Sequence, residues 1–201
     1  PLAIGARLYV VPQWEKDQAV PQGRVPLYLN PGLTFGTGSH ASTQLCLEGV
    51  EEHTTAGCSV LDLGCGSGIL SIAALVLGAG YAAAVDIDPK AVGVAYENAE
   101  LNGVDRSVYD VCAGDVIGDD TLAARLGQRS YDLVLANIVA DVIIPLSARV
   151  PQLLAKDGVF LCSGIIDTRA DEVAAALAGH GLTVTKKREK NGWVALEARL
   201  S

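Results

Sequence analysis

The chain has 201 residues, half of them hydrophobic and 19% charged, with a formal net charge of -8. That length and composition suit one well-packed domain and exclude a disordered chain. The acidic balance speaks against a protein built to bind nucleic-acid backbone and favours approach by basic partners, while no stretch reaches the roughly 18 apolar residues of a membrane span.

Taken in chain order, Leu8–Val11 and Val25–Leu29 read as short strands separated by a polar, proline-bounded stretch. Residues 30 to 40, Asn-Pro-Gly-Leu-Thr-Phe-Gly-Thr-Gly-Ser-His, hold three glycines and a proline and predict a tightly turning loop. Ser39 or Ser42 can cap a helix running to about Glu52. Strand Val60–Leu63 then enters the loop Gly64-Cys65-Gly66-Ser67-Gly68, followed by an apolar, buried helix Ile69–Leu77. Strand Ala82–Val85 ends at Asp86, and Asp88 with Pro89 opens a helix that stops near Asn102-Gly103. Strands follow at Ser107–Cys112 and Tyr131–Ala136, then a helix from Asp141 to Leu154, strand Val159–Ser163 and a helix Thr168–Ala178. Leu182–Arg188 and Trp193–Leu200 form a hairpin turned by Asn191-Gly192. The basic run Lys186 to Lys190 is expected to be a solvated face that protects the sheet edge.

Strand, helix, strand alternation from residue 59 predicts an α/β fold, a doubly wound seven-stranded Rossmann-like sheet ending in an antiparallel hairpin. Residues 1–38 read as a linker with N-terminal strands, and residues 39–201 as the cofactor-binding domain. Five cysteines, odd in number and widely spaced, predict small buried side chains in a reducing cytoplasm, with no disulfide framework and no metal site. No signal peptide is recognisable, and a first residue of Pro with no methionine anywhere suits a fragment or a trimmed product.

Ligands of such sheets bind at the carboxyl ends of the strands. Gly64 and Gly66 let backbone approach a nucleotide there. Asp62, just ahead of them, would repel a pyrophosphate but suits a cation. That leans the cofactor toward S-adenosyl-L-methionine, which carries a sulfonium and an ammonium and no phosphate, over NAD. Asp86 can accept both ribose hydroxyls. Asp115, after the third strand, can face the adenine amino group, although Gly114-Asp115 also makes an ordinary turn. Asn137 ends the fourth strand and would sit beside the methyl group. No Pro-Pro-aromatic follows it, which points away from amide and base nitrogens as acceptors.

The segment from Pro31 to His40, the loop from Leu61 to Leu70, Asp86-Ile87-Asp88-Pro89, Glu97 to Val104 and Ala136-Asn137-Ile138 together resemble the catalytic domain of the bacterial ribosomal protein L-eleven methyltransferase (PrmA) family. The resemblance covers essentially the whole chain. It implies cofactor contacts from Thr43, Gly64, Asp86 and Asn137, with S-adenosyl-L-homocysteine as product. It implies that Phe35, Thr37 and the backbone of residues 36 and 38 form a lid-like loop near the methyl group, and it brings His40 to the site in a structural or cofactor-facing role. It implies lysine ε-amines and an N-terminal α-amine of ribosomal protein L-eleven as acceptors, with no direct nucleic-acid or membrane partner. Members of the family carry a further N-terminal domain that recognises the substrate, and this chain begins in or just after the linker to it. Methyl transfer to another protein lysine or a small amine, or a non-catalytic cofactor-binding module, are the alternatives.

Overall fold

The computed structural model describes residues 1–30 and 38–201. Three short strands come first: β1 (Leu2–Ile4), β2 (Leu8–Pro12) and β3 (Val25–Leu29), with β1 antiparallel and β3 parallel to β2. After α1 (Ala41–His53) the alternating part runs β4 (Ser59–Leu63), α2 (Ile69–Val76), β5 (Tyr81–Asp86), α3 (Pro89–Leu101), β6 (Tyr109–Ala113), α4 (Asp120–Leu126), β7 (Tyr131–Asn137), α5 (Ala140–Leu146), β8 (Leu154–Ile166) and α6 (Ala170–Gly179). The hairpin β9 (Leu182–Lys190) and β10 (Trp193–Leu200) closes the order.

The sheet order is β6-β5-β4-β7-β8-β10-β9. The strands from β6 to β8 are parallel, and β10 runs antiparallel to both of its neighbours. Because the chain steps outward from β4 to β6 and then returns to β7 on the other side, the topological switch point lies between β4 and β7, where such sheets bind ligands. Pairing of Leu63 with both Val85 and Ala136 sets Gly64, Asp86 and Asn137 side by side at the strand ends.

Strand alternation divides the interior into two layers. Val60, Ala82, Leu133 and Leu161 face α1, α2 and α3, and this layer also takes in Ile4, Leu8, Val10 and Leu27 from the N-terminal strands. Leu61, Val85, Val134 and Phe160 face α4, α5 and α6. Cys46, Cys58, Cys65 and Cys162 are free and buried, and burial pushes the Cys162 thiol up to about 12.

Three local expectations are corrected, and one helix was not anticipated. Helix α1 is capped by His40, whose Nδ1 accepts from the Ser42 N–H at 3.2 Å, and not by Ser39 or Ser42. The helix expected from Asp141 to Leu154 stops at Leu146, and β8 starts at Leu154. Pro145 and Pro151 each lack an amide that a continuous helix would need. Ile143, Leu146, Val150 and Leu153 nevertheless keep helical spacing and are all buried, which is why the pattern read as one helix. Helix α4, unforeseen, is seven residues long and capped by the Asp119 carboxylate on the Leu122 N–H. The basic run is not simply solvated: Arg188 is 12% exposed and pairs with Glu52 and with buried Glu197, and Lys186 reaches Glu52 at 2.8 Å.

Asn98 of α3 is fully buried and ties two segments to the helix. Its Nδ2 donates to the Ser67 carbonyl at 2.9 Å, and its Oδ1 accepts from the Asn30 N–H at 2.8 Å. Replacing Asn98 with Ala removes both bonds and should cost about 2 kcal/mol or more in urea denaturation, because buried polar groups lose their partner.

Candidate active site

A cleft of about 680 Å³ opens at the carboxyl ends of the central strands, within the roughly 300–1,000 Å³ typical of small-molecule sites. Asp62, Gly64, Gly66, Asp86, Asn137, Thr43 and His40 all line it, so seven of the residues singled out from sequence converge.

The glycine loop is held by the neighbouring strand β5 and by two carboxylates. Gly64 and Cys65 both donate their N–H to the Val85 carbonyl, at 2.8 and 3.0 Å. Gly66 donates to Asp86 Oδ2 at 2.8 Å, and Gly68 to the Cys65 carbonyl at 2.8 Å. Ser71, in the first turn of α2, donates to Asp62 Oδ2 at 3.1 Å. A phosphate-binding loop works by presenting such N–H groups to the ligand. Here these five are spent internally, and no Lys or Arg is among the described residues that line the cleft. Two carboxylates without a cationic partner in the cleft fit a cationic nucleoside and oppose a pyrophosphate.

Asp86 ends β5, with Oδ2 on Gly66 and Oδ1 accepting from the Asp88 N–H at 2.9 Å. A carboxylate offers about four lone-pair sites, so capacity remains for ribose hydroxyls. Asp62 is 1% exposed. Gly68, the N-cap of α2, has no side chain to cap it, and the Asp62 carboxylate supplies that function from the preceding strand. Burial raises the Asp62 carboxyl to about 6, against the lowering effect of its Ser71 hydrogen bonds.

On the far side of β4, Asn137 Nδ2 donates to Thr43 Oγ1 at 3.2 Å, which joins the end of β7 to the first turn of α1. Its carboxamide oxygen has no partner among the described residues and is left to accept from an entering group. His40 Nδ1 lies 2.7 Å from Ser42 Oγ in addition to capping α1, and its ring meets Trp193 edge-on at 4.6 Å between centroids. These contacts tie His40 to the start of α1 and to the start of β10.

Asp115 follows β6 at the same strand ends, two residues after Ala113, which pairs with Asp86. It is exposed beyond β6, its Oδ1 accepts from the Ile117 N–H at 3.0 Å, and it is not among the cleft-lining residues. The expectations for Phe35 and Thr37 fall outside the described residues. Two lining residues were not foreseen, Gly164 of β8 and Trp193 of β10. The signal for Trp193 was present: it opens a strand that runs antiparallel, and the start of such a strand lies at the carboxyl ends of its parallel neighbours.

Residues 1–201 match the family model described as Ribosomal protein L11 methyltransferase (PrmA). The chain belongs to this family. It is 45% identical over 199 residues to the ribosomal protein L11 methyltransferase of Desulfitobacterium hafniense, covering 99% of this chain and 61% of that relative. It is 44% identical over 200 residues to the protein of the same name from Pelotomaculum thermopropionicum, covering 100% of this chain and 62% of the relative. The chain thus spans a little over three fifths of these curated relatives. The crystal structure of ribosomal protein L11 methylase from Lactobacillus delbrueckii subsp. bulgaricus superposes with a TM-score of 0.85 at 32% identity, covering 100% of this chain and 98% of that one. The PrmA family is S-adenosylmethionine-dependent, in agreement with the acidic character of the cleft.

Three outcomes follow for this PrmA-family site. At Gly64, φ is +74° and an added Cβ would stand 2.6 Å from Ile138 Cγ2. Gly64→Ala should therefore weaken S-adenosylmethionine binding by about tenfold or more in calorimetry, through strain and a shifted loop. The raised Asp62 carboxyl means that the folded state holds this proton more tightly than the unfolded chain does. Its stabilising effect is complete below about pH 4 and is lost as pH rises through about 6, a change of up to about 3 kcal/mol. Urea titrations from pH 4 to 7 should show that Asp62→Asn lacks this loss. By the same linkage, a cation bound beside Asp62 should bind more tightly as pH rises through 6.

Proposed function

We propose that this chain is an S-adenosylmethionine-dependent protein N-methyltransferase, acting in the cytoplasm on lysine and N-terminal amines of ribosomal protein L11. The observation that carries this reading is the spent glycine loop beside Asp62 and Asp86, joined to Asn137 at the end of β7. Residues 39–201 form the transfer unit, and residues 1–38 lead into it. Among the described residues no helix is long and apolar enough to cross a membrane. A net charge of -8 suits a basic protein substrate.

When bound, S-adenosylmethionine would supply a methyl carbon activated by a positive sulfonium, with the neutral thioether S-adenosylhomocysteine as leaving group. Asp86 would hold the ribose, Gly64 and Gly66 would allow the close backbone approach, and Asp62 and Thr43 would serve the amino-acid end. Asn137, braced by Thr43, offers its carboxamide oxygen to an N–H of the acceptor and so aims the nitrogen lone pair. A lysine amine, with a reference pKa of about 10.4, must shed its proton before it reacts. Burial near a positive charge favours the neutral form. His40 is committed to the α1 cap, which supports loss of that proton to water.

The length of the relatives favours one competing reading. Because the chain spans 61% and 62% of them, substrate recognition can reside outside it, and the transfer unit then serves another protein lysine or a small amine. Incubation with radiolabelled S-adenosylmethionine and ribosomal protein L11 tests the reading: label in the protein supports it, and cofactor binding without transfer to any amine leaves only a binding module. Asn137→Ala should lower turnover by about a hundredfold, in line with loss of an aligning contact, while cofactor affinity changes far less. Unchanged turnover would remove Asn137 from this role.

A further inference from the structure

The cleft has two ends, and only one is explained by the cofactor. Asp86 and the glycine loop occupy the β5–β4 side. On the other side of Asn137, the wall is made by Gly164 of β8 and by Trp193 of β10. In the sheet order β7-β8-β10, Trp193 stands two strands from Asn137 and further out past the strand ends, since Asn137 pairs with Ser163 and Trp193 with Ile166. It therefore lies beyond the residue that would meet the methyl group, on the side away from the ribose.

Trp193 is held in place from three directions. Its backbone is paired with Ile166 on one side and Lys190 on the other. Its ring, half-buried, meets His40 edge-on at 4.6 Å with an interplanar angle of 72°, and His40 is itself fixed as the cap of α1. Near it, Ile166 and Val139 are 44% and 59% exposed, and Val139 shares the lining of the cleft. A fixed indole with aliphatic groups around it matches the shape and chemistry of a lysine side chain, an apolar stem ending in a cation.

We propose that Trp193, braced by His40, is the wall of the cleft that receives the acceptor side chain and sets its preference for an amine on an aliphatic stem. This rests on the methyl-transfer reading and adds to it a specificity-determining residue. At neutral pH the amine arrives as an ammonium group, which an aromatic ring attracts. The stem then packs on Trp193 and Val139 while the nitrogen, once neutral, reaches Asn137.

The test compares Trp193→Ala, Trp193→Phe and Trp193→Leu with the wild-type chain. Methyl transfer is followed with ribosomal protein L11 at varied concentration, and S-adenosylmethionine binding is measured separately by calorimetry. Trp193→Ala should raise the acceptor KM by about tenfold, the size of a partly desolvated cation–π contact, with cofactor Kd within about twofold. Trp193→Phe should restore most of the loss, and Trp193→Leu, apolar but without a π face, should not. If Trp193→Ala fails to fold by circular dichroism, the Phe and Leu variants decide the matter between them. An unchanged acceptor KM, parity of Trp193→Leu with the wild type, or cofactor binding weakened in step with KM overturns the assignment of Trp193 alone. Absence of transfer by the wild-type chain to any amine overturns both that assignment and the reading on which it rests.

Discussion

The hydrogen bond from the Gly66 N–H to the Asp86 carboxylate organises the site. It joins the loop after β4 to the end of β5, so that the backbone that must approach a nucleoside and the acid that must hold its ribose are set by one contact. Asp62 does the same between β4 and α2 through Ser71. The two carboxylates thus have structural as well as ligand-facing work. By taking up backbone donors that a dinucleotide loop would offer to phosphate, they turn a fold shared by many cofactors toward a cationic one. For Asp62 the arrangement has a cost, since a carboxyl group buried there resists ionisation until a positive partner arrives.

Helix α1 carries that organisation across the molecule. At its start, Thr43 meets Asn137 and His40 meets Trp193. At its end, His53 Nε2 lies 2.8 Å from buried Glu197, and Glu52 meets Lys186 and Arg188, which hold its carboxyl at about 2. Burial lowers the pKa of His53 below the usual imidazole value. Between the two ends, Leu45, Cys46, Leu47 and Val50 fill the layer against the sheet. Trp193 and Glu197 belong to the same strand, so β10 grips α1 at both ends. A buried charge cluster of this kind is a weak source of net stability; it supplies a definite register between helix and hairpin.

Much of this was legible in the sequence where local chemistry and global fold agree. The central strands announce themselves by short apolar runs bounded by glycine, the hairpin by Asn191-Gly192, and α3 by Asp88 and Pro89. The Asp62, Gly64, Asp86 and Asn137 positions are readable because each ends or follows a strand, and parallel strand ends converge. Reading failed where several local rules compete. The segment after Ile143 keeps a helical apolar pattern through two prolines, and the core preserves the spacing although the backbone breaks. At α1, a histidine took the capping place that serine more often fills. Trp193 was invisible to periodicity, since its place in the cleft depends on β10 being inserted between β8 and β9, a relation between distant segments.

That insertion bears on the order in which the molecule can be assembled. β8 and β9 are successive strands in the chain but are not neighbours; the gap between them is filled by the strand that comes after both. The nucleoside end of the cleft is complete once β7 has docked on β4, whereas the indole wall exists only after β10 has threaded into place. The acceptor wall of the cleft is therefore supplied by the last strand of the chain, and the nucleoside end by strands that precede it.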